Sequence, residues 1–465
     1  MPRVLPIVLW ISGGQLIAFF ARKIYPKNLF FEIEVAEIQQ LLYAVFTSAC
    51  LGMGINMVHQ FATGFRIIPI SILVIGHFCM LFLMLSFRLL AKKVLAKPVQ
   101  PAENALLLSE KEIAYLLDRD PINLDSEAIR NHLTGKTVLV TGAAGSIGRE
   151  ISRQLAHFPL QKLILLDQAE TPLYELDLFL KEQKLPAPFE VVIADVRNID
   201  RMRNVFETFC PQIVYHAAAY KHVPMMELNP TESVLTNVIG TKNIADLSVE
   251  YGAEKMILVS TDKAVNPTGM MGASKRMAEI YVQSLNTQLS HSKKVHTRFI
   301  TTRFGNVLGS DGSVLWLFRR QIETGGTITV THPEVTRYFM TIPEASQLVL
   351  EAGMMGNGGE ILVFDMGKPI KISDLAQKMI AFSGKNIAIR FVGLRPGEKL
   401  YEELLHDKET TLPTHHPKIL IGKVQTYDFQ KVLPAVLELK HLFDKQDAAG
   451  IMALLKEVIP EYQGG

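Results

Sequence analysis

Three proton-handling side chains stand in a row, Thr261-Asp262-Lys263, one residue after the branched run KMILV, and a second lysine follows at Lys275. A hydroxyl, a carboxylic acid and an amine at one strand end can exchange protons with a substrate. Burial must first raise the carboxyl and lower the amine toward neutrality. Adjacent Asp and Lys paired as ions move the opposite way, so substrate entry and water exclusion have to reshape that pair. An isolated Asp-Lys dipeptide is more often an N-cap beside a solvated charge. With Thr261 next to it, and Lys275 on a helix starting near Gly272, the constellation meets the role test for an active site. Position 271 is methionine, which carries no proton.

The elements that must hold these groups begin at Thr137. Short branched runs alternate there with amphipathic helices, the pattern of βαβ units and a parallel sheet. Thr137-Val138-Leu139-Val140 is followed by glycines at 142, 145 and 148 in TGAAGSIG. Gly142 suits a tight turn, Gly145 a close backbone approach to a pyrophosphate, and Gly148 close helix-to-sheet packing. The helix opening at Ser146-Ile147 supplies free N–H groups and partial positive charge to phosphates. Asp167 ends the next strand, LILLD, where a carboxylate accepts hydrogen bonds from an adenosine ribose and repels a 2′-phosphate. The expected cofactor is therefore NAD rather than NADP. Further strands are expected at 190–194, 212–216 and 255–259. Asp195 and Val196 should then border the adenine, and Ala217 and Ala218 should run beside the cofactor.

The glycine spacing and the lysine helix together resemble the extended short-chain dehydrogenase/reductase superfamily. The likeness narrows at HAAAYKHVPMMELNP, STDKAVNPT, MGASKRMAE, TRFGNVLGSDGSV, RYFMTIPEA and RPGEKLYEELL. These segments resemble the membrane-anchored nucleotide-sugar 4,6-dehydratases of bacterial polysaccharide and protein-glycan synthesis, which act on UDP-N-acetylglucosamine. The resemblance runs from about Asp118 to the C-terminus. Longer members of that family carry an additional nucleotide-binding-like domain after their spans, whereas here the linker leads straight to Thr137.

The resemblance implies an internal redox reaction. Hydride leaves C4 of the sugar for NAD, the C5 proton becomes acidic, water leaves from C6, and hydride returns to C6. In that scheme Thr261 meets the C4 oxygen, Asp262 protonates the departing hydroxyl, Lys263 takes the C5 proton and Lys275 holds the nicotinamide ribose. Met271 stands where relatives of the superfamily carry a tyrosine. Many members of the resembled family share the methionine, which looks more like the C5-retaining group than the inverting one. Asn306 matches the position that meets the sugar phosphate, Arg337 and Arg395 resemble pyrophosphate- and uridine-binding positions, and Glu398 could accept from the uridine ribose. His222 could face the sugar, although a lone histidine is commonly structural. Two other readings stand beside this one. A nucleotide-sugar 4-epimerase needs the hydride shuttle but no elimination pair, and a NAD-binding membrane scaffold needs no turnover.

Composition frames the rest. The 465 residues carry a net charge of +2, which gives no global field for nucleic acid. Cys50, Cys79 and Cys210 lie far apart with no CxxC pair, so neither a disulfide framework nor a metal site is indicated. Val4–Ala21, Leu41–Val58 and Ile67–Phe87 contain no Asp, Glu, Lys or Arg. A membrane-spanning helix needs about 20 apolar residues. The lysines and arginines after the first and third runs predict an outside N-terminus and a cytoplasmic catalytic domain.

The expected architecture is α/β. Transmembrane helices occupy residues 1–90 and a linker 91–135. A doubly wound domain over 136–465 binds NAD mainly through 136–300 and the UDP-sugar mainly through 301–430. Packing helices span 429–458. The expected setting is the bacterial inner membrane, with the lipid bilayer and a UDP-sugar as partners. A homo-oligomer is expected by analogy alone.

Overall fold

The computed structural model describes residues 53–54, 56–64, 126–183, 185–291, 296–403, 410–423 and 425–464. The chain divides into two compact units, 1–105 and 106–465. In the first, the described residues form a short helical segment ending at Gly64. The first and third apolar runs lie outside the described residues, and the second reaches them only at its C-terminal end. Among the described residues no helix is long and apolar enough to cross a membrane.

The second unit is built on a nine-stranded sheet. Its first half alternates strands and helices: β1 (Thr137–Thr141), α1 (Ser146–Leu155), β2 (Lys162–Asp167), α2 (Glu170–Glu182), β3 (Phe189–Ile193), α3 (Ile199–Phe209), β4 (Ile213–His216), α4 (Gly240–Glu250), β5 (Lys255–Val259), α5 (Met270–Ser290) and β6 (Arg298–Arg303). The second half carries β7 (Asn306–Leu308), α6 (Val314–Glu323), β8 (Ile328–Val330), β9 (Thr336–Arg337), β10 (Phe339–Thr341), α7 (Ile342–Met355), β11 (Ile361–Phe364), β12 (Ile370–Lys371), α8 (Ile372–Ser383), β13 (Ile389–Phe391), β14 (Thr410–Pro413), β15 (Ile419–Lys423), α9 (Phe429–Asp444) and α10 (Ala448–Val458).

The large sheet runs β14-β15-β11-β6-β5-β4-β1-β2-β3. Strands β1 to β6 and β11 are parallel, and β15 runs antiparallel to both β11 and β14. Residues of β1 are buried throughout, as a central parallel strand covered on both faces must be. The strand order reverses between β1 and β4, and ligands of such sheets bind at the carboxyl ends of the strands beside that switch. The β15–β14 extension lies beyond the strands expected from sequence. A smaller body of two-stranded pairs, β7 with β10, β8 with β13 and β9 with β12, packs with α6 and α8 around Leu308, Phe318, Val330 and Leu375.

Helix α5 is buried almost all round from Met270 to Asn286, which an amphipathic surface helix is not. The sheet covers one side, and the predicted packing helices α9 and α10 cover the other through Val432, Val436, Ile451 and Leu455. The chain then returns to the segment between β5 and α5. Arg276 Nε pairs with Glu461 Oε1 at 2.8 Å, and the Gln463 N–H donates to the Pro267 carbonyl at 2.8 Å.

Candidate active site

The carboxyl ends of β1, β4 and β5 open into a cavity of about 590 Å³. Its wall includes Gly142, Gly145, Ser146, Ile147 and Gly148 from the glycine turn, Ala217, Thr261, Lys263, Met271 and Lys275 from the ends of β4 and β5 and the start of α5, and Asn306, Arg337, Arg395 and Glu398 from the second half of the unit. His222 also lines it. Residues expected from sequence to serve cofactor, chemistry and substrate thus share one space. Asp167, Asp195, Val196, Ala218 and Asp262 have no face on that cavity.

The glycine turn has the shape that a dinucleotide needs. Gly142 has φ +70°, and a Cβ there would lie 2.6 Å from the Ala218 nitrogen; one on Gly148 would lie 2.0 Å from the Gly142 carbonyl oxygen. Neither position can carry a side chain without moving backbone. The Asp167 carboxylate accepts from the Ala144 N–H at one oxygen and from the Ala169 N–H at the other, both at 2.9 Å. It braces the turn. Asp195 is pinned by Arg197, whose backbone N–H and guanidinium both reach it. Ser146 donates its hydroxyl to Asp311 at 2.8 Å, so the loop after β7 folds over the turn.

At the end of β5 the proton-handling groups form a connected chain. The Thr261 hydroxyl donates to Asp262 Oδ1 at 2.9 Å. Lys263 Nζ donates to the same oxygen at 3.0 Å and to Asn306 Oδ1 at 2.8 Å, and lies 3.2 Å from Glu402 Oε1. Asp262 is fully buried, and its Oδ2 has no hydrogen-bond partner and points toward Gly305. Burial pushes its carboxyl above the usual range, with Lys263 opposing. Burial draws Lys263 down, but the Asp262 and Glu402 carboxylates outweigh it and leave the amine above its ordinary value. The Asp262 and Lys263 side chains are in salt-bridge contact at 3.0 Å, and the lysine moves in the direction an ion pair imposes while burial takes Asp262 the other way. Lys275 is buried and donates to the Val259 carbonyl at 2.8 Å; burial lowers it to about 8, with Glu279 opposing.

Close packing fixes this geometry. A Cβ on Gly272 would lie 2.2 Å from the Lys263 carbonyl oxygen, so only glycine lets α5 approach the turn. Met271 in the first turn of α5 is 2% exposed and forms an apolar stretch of wall. Beneath the strand end, Glu279 accepts from Ser260, Arg276 and Arg303.

Opposite, Arg337 donates to the carbonyls of Thr336, Leu400 and Lys399 and to Glu398. It holds the RPGEKL segment against β9 while facing the cavity. Glu398 also accepts from the Arg395 N–H and from Thr331. The exposed Arg395 side chain lines the cavity, where it can reach a ligand. The His222 ring rests against Gly312, and burial lowers it.

Glu402 was not foreseen. It lies in RPGEKLYEELL, pairs with both Lys263 and Arg337, and its side chain is 2% exposed. Its only sequence signal was a place four residues after Glu398 in a segment already thought to meet substrate. Glu279 was missed as well, although Lys275 and Arg276 precede it at helical spacing. Among the described residues no group of His, Cys, Asp or Glu could hold a metal ion.

Comparison with known proteins agrees with this architecture. The family model described as "Polysaccharide biosynthesis protein" matches residues 138–424. The capsular polysaccharide biosynthesis protein CapD of Staphylococcus aureus is 52% identical over 73% of this chain. That alignment covers 56% of the relative, so this chain spans little more than half of it. A UDP-N-acetylglucosamine 4,6-dehydratase (inverting) of Campylobacter jejuni is 30% identical over 69% of the chain and 88% of the relative. A UDP-glucose 4-epimerase of Rickettsia rickettsii is 36% identical over 59% and 79%. The X-ray structure of Pen from Bacillus thuringiensis superposes with a TM-score of 0.58 at 33% identity, covering 64% of this chain and 90% of that one. The chain belongs to the polysaccharide biosynthesis protein family.

Proposed function

We propose that the protein is a NAD-dependent UDP-N-acetylglucosamine 4,6-dehydratase that retains configuration at C5. The observation that carries the reading is the single cavity in which the glycine turn faces Thr261, Lys263 and Lys275, with Asp262 buried behind them. The glycine turn and Asp167 fit a dinucleotide, and Arg395 fits a nucleotide diphosphate. Bound NAD would supply reversible hydride storage.

The chain's own groups then account for every proton. The C4 hydroxyl gives its proton to Thr261, which passes its own to Asp262 along their 2.9 Å hydrogen bond. Lys263 first releases its ammonium proton to solvent; oxidation at C4 then makes the C5–H acidic, and the neutral amine takes that proton. Asp262 returns its proton through Thr261 to the C6 oxygen, which departs as water. The hydride ends on C6, and Lys263 reprotonates C5. The sugar has lost one water and nothing else. Asp262 has no surface on the cavity, so Thr261 is its route to the substrate. Lys275 faces the cofactor side, where its charge would lower the pKa of a ribose hydroxyl.

An epimerase is the second reading, favoured by the Rickettsia relative. Epimerisation needs no partner for Asp262 and Lys263, so those groups weigh against it. The apolar runs near the N-terminus support a multi-pass anchor in a bacterial cell membrane, with the catalytic unit in the cytoplasm and the product entering glycan synthesis. Incubation with UDP-N-acetylglucosamine in deuterated water, followed by NMR, tests the reaction. A 4-keto-6-deoxy product with deuterium at C5 and retained ring couplings is expected. A C4 epimer carrying no deuterium at C5 would replace this reading with the second.

A further inference from the structure

An ammonium has three N–H bonds, and Lys263 has three oxygens around Nζ: Asn306 Oδ1 at 2.8 Å, Asp262 Oδ1 at 3.0 Å and Glu402 Oε1 at 3.2 Å. A base must instead aim a lone pair at the substrate, so one of these contacts has to give way. Asp262 is the chain neighbour, and Asn306 is fixed by the pairing of β7 with β10. Glu402 is the remote partner, at the longest distance. It is also the one tied to the sugar-nucleotide wall, because its Oε1 lies 3.3 Å from Arg337 Nε. Its Oε2 is buried with no hydrogen-bond partner, so the carboxylate is held there by Lys263 and Arg337 through Oε1.

We infer that Glu402 is a positioning residue that holds Lys263 as an idle ammonium and releases it when a nucleotide sugar occupies the opposite wall. This rests on the dehydratase reading, in which Lys263 is the base. The charged groups facing Lys263 are Asp262 beside it, Glu402 across from it, and Arg337 behind Glu402. Of these, Glu402 can be neutralised without removing a group that handles the substrate's protons. The carboxylate is drawn below its ordinary range by Lys263 and Arg337 against the cost of burial, in keeping with a standing anion.

The test compares Glu402→Gln with the wild type in two measurements. In the ligand-free enzyme, lysines labelled with ¹³C at Cε are titrated by NMR, and the Lys263 signal is assigned by its loss in Lys263→Arg. The wild-type amine should titrate above the ordinary lysine value, and in Glu402→Gln at least about one pH unit lower, as loss of a close opposite charge requires. In turnover, the ascending limb of kcat/KM against pH, which reports the free enzyme, should move toward acid by a similar interval while the maximum falls. Glu402→Asp, which keeps the charge, should return the limb most of the way.

An unmoved limb with a reduced maximum would make Glu402 merely structural and overturn the inference. So would a wild-type Lys263 that is already neutral near pH 8, a result that needs no variant to fold. Absence of a 4-keto product from the wild type would instead remove the dehydratase reading, and the lysine titration would still report the Glu402 contact.

Discussion

Arg303 Nη2 lies 2.7 Å from Glu279 Oε2, with the two side chains 1% and 0% exposed, directly under the strand end that bears Thr261. Ser260, the residue before Thr261, donates to the other oxygen of the same carboxylate at 2.6 Å. The floor of the site is thus a buried carboxylate shared by two guanidinium groups and a hydroxyl. Glu279→Gln would leave Arg303 and Arg276 partly uncompensated away from water. Stability should drop by about 3–5 kcal/mol, read from denaturant midpoints.

The same carboxylate makes a pH prediction. Burial opposes its ionisation, but Arg303 and Arg276 hold it at about 2, below its ordinary value of 4.5. A depressed carboxyl contributes stability that is complete above its unfolded pKa. The contribution fades as pH falls from 4.5 toward 2. The wild type should therefore lose stability across that window, and Glu279→Gln should show a flatter slope there.

Asp262→Asn removes the proton store behind Thr261. Turnover should fall by at least about 10²-fold, the usual scale for a lost acid or base, with NAD binding unchanged by calorimetry. Lys263→Ala should show the same split. Near-normal turnover in either variant would remove the proposed proton route.

Gly272→Ala probes position rather than chemistry. Its Cβ would collide with the Lys263 carbonyl, forcing the turn or α5 to shift. A displacement on the order of 1 Å at the amine should cost about 10²-fold in kcat. Thermal stability should fall, and NAD binding should weaken less than turnover, because the glycine turn lies elsewhere.

Asp167→Asn should weaken NAD binding by at least about tenfold, the scale of a lost hydrogen bond to a charged group. An amide can accept from only one of the Ala144 and Ala169 N–H groups with its oxygen, and its NH₂ then meets the other. Calorimetric titration against NAD measures this directly.

The dinucleotide half was legible because its signals are local. Branched runs and glycines at 142, 145 and 148 fix strand, turn and helix within a dozen residues, and the three strands expected after β2 lie within one residue of their observed bounds. That Thr261, Lys263 and Lys275 come together in one cavity was legible for the same reason. What escaped was long-range. Glu402 reaches Lys263 across the site, and Glu279 meets Arg303 from a neighbouring element, pairings that no periodicity encodes. Asp262 was expected to face the substrate; it lies fully behind Thr261, because the turn at 262–264 tucks its side chain under Gly305. The apolar runs that predict membrane spans fall almost wholly outside the described residues.

The bond from the Gln463 N–H to the Pro267 carbonyl, with Arg276 gripping Glu461, couples the tail to the segment between Lys263 and α5. Affinity tags, linkers or fusion partners appended behind residue 463 would pull on the loop that follows Lys263. Purified preparations differing only in their trailing residues should then differ in specific activity, and a tag on the opposite terminus is the safer choice for kinetics.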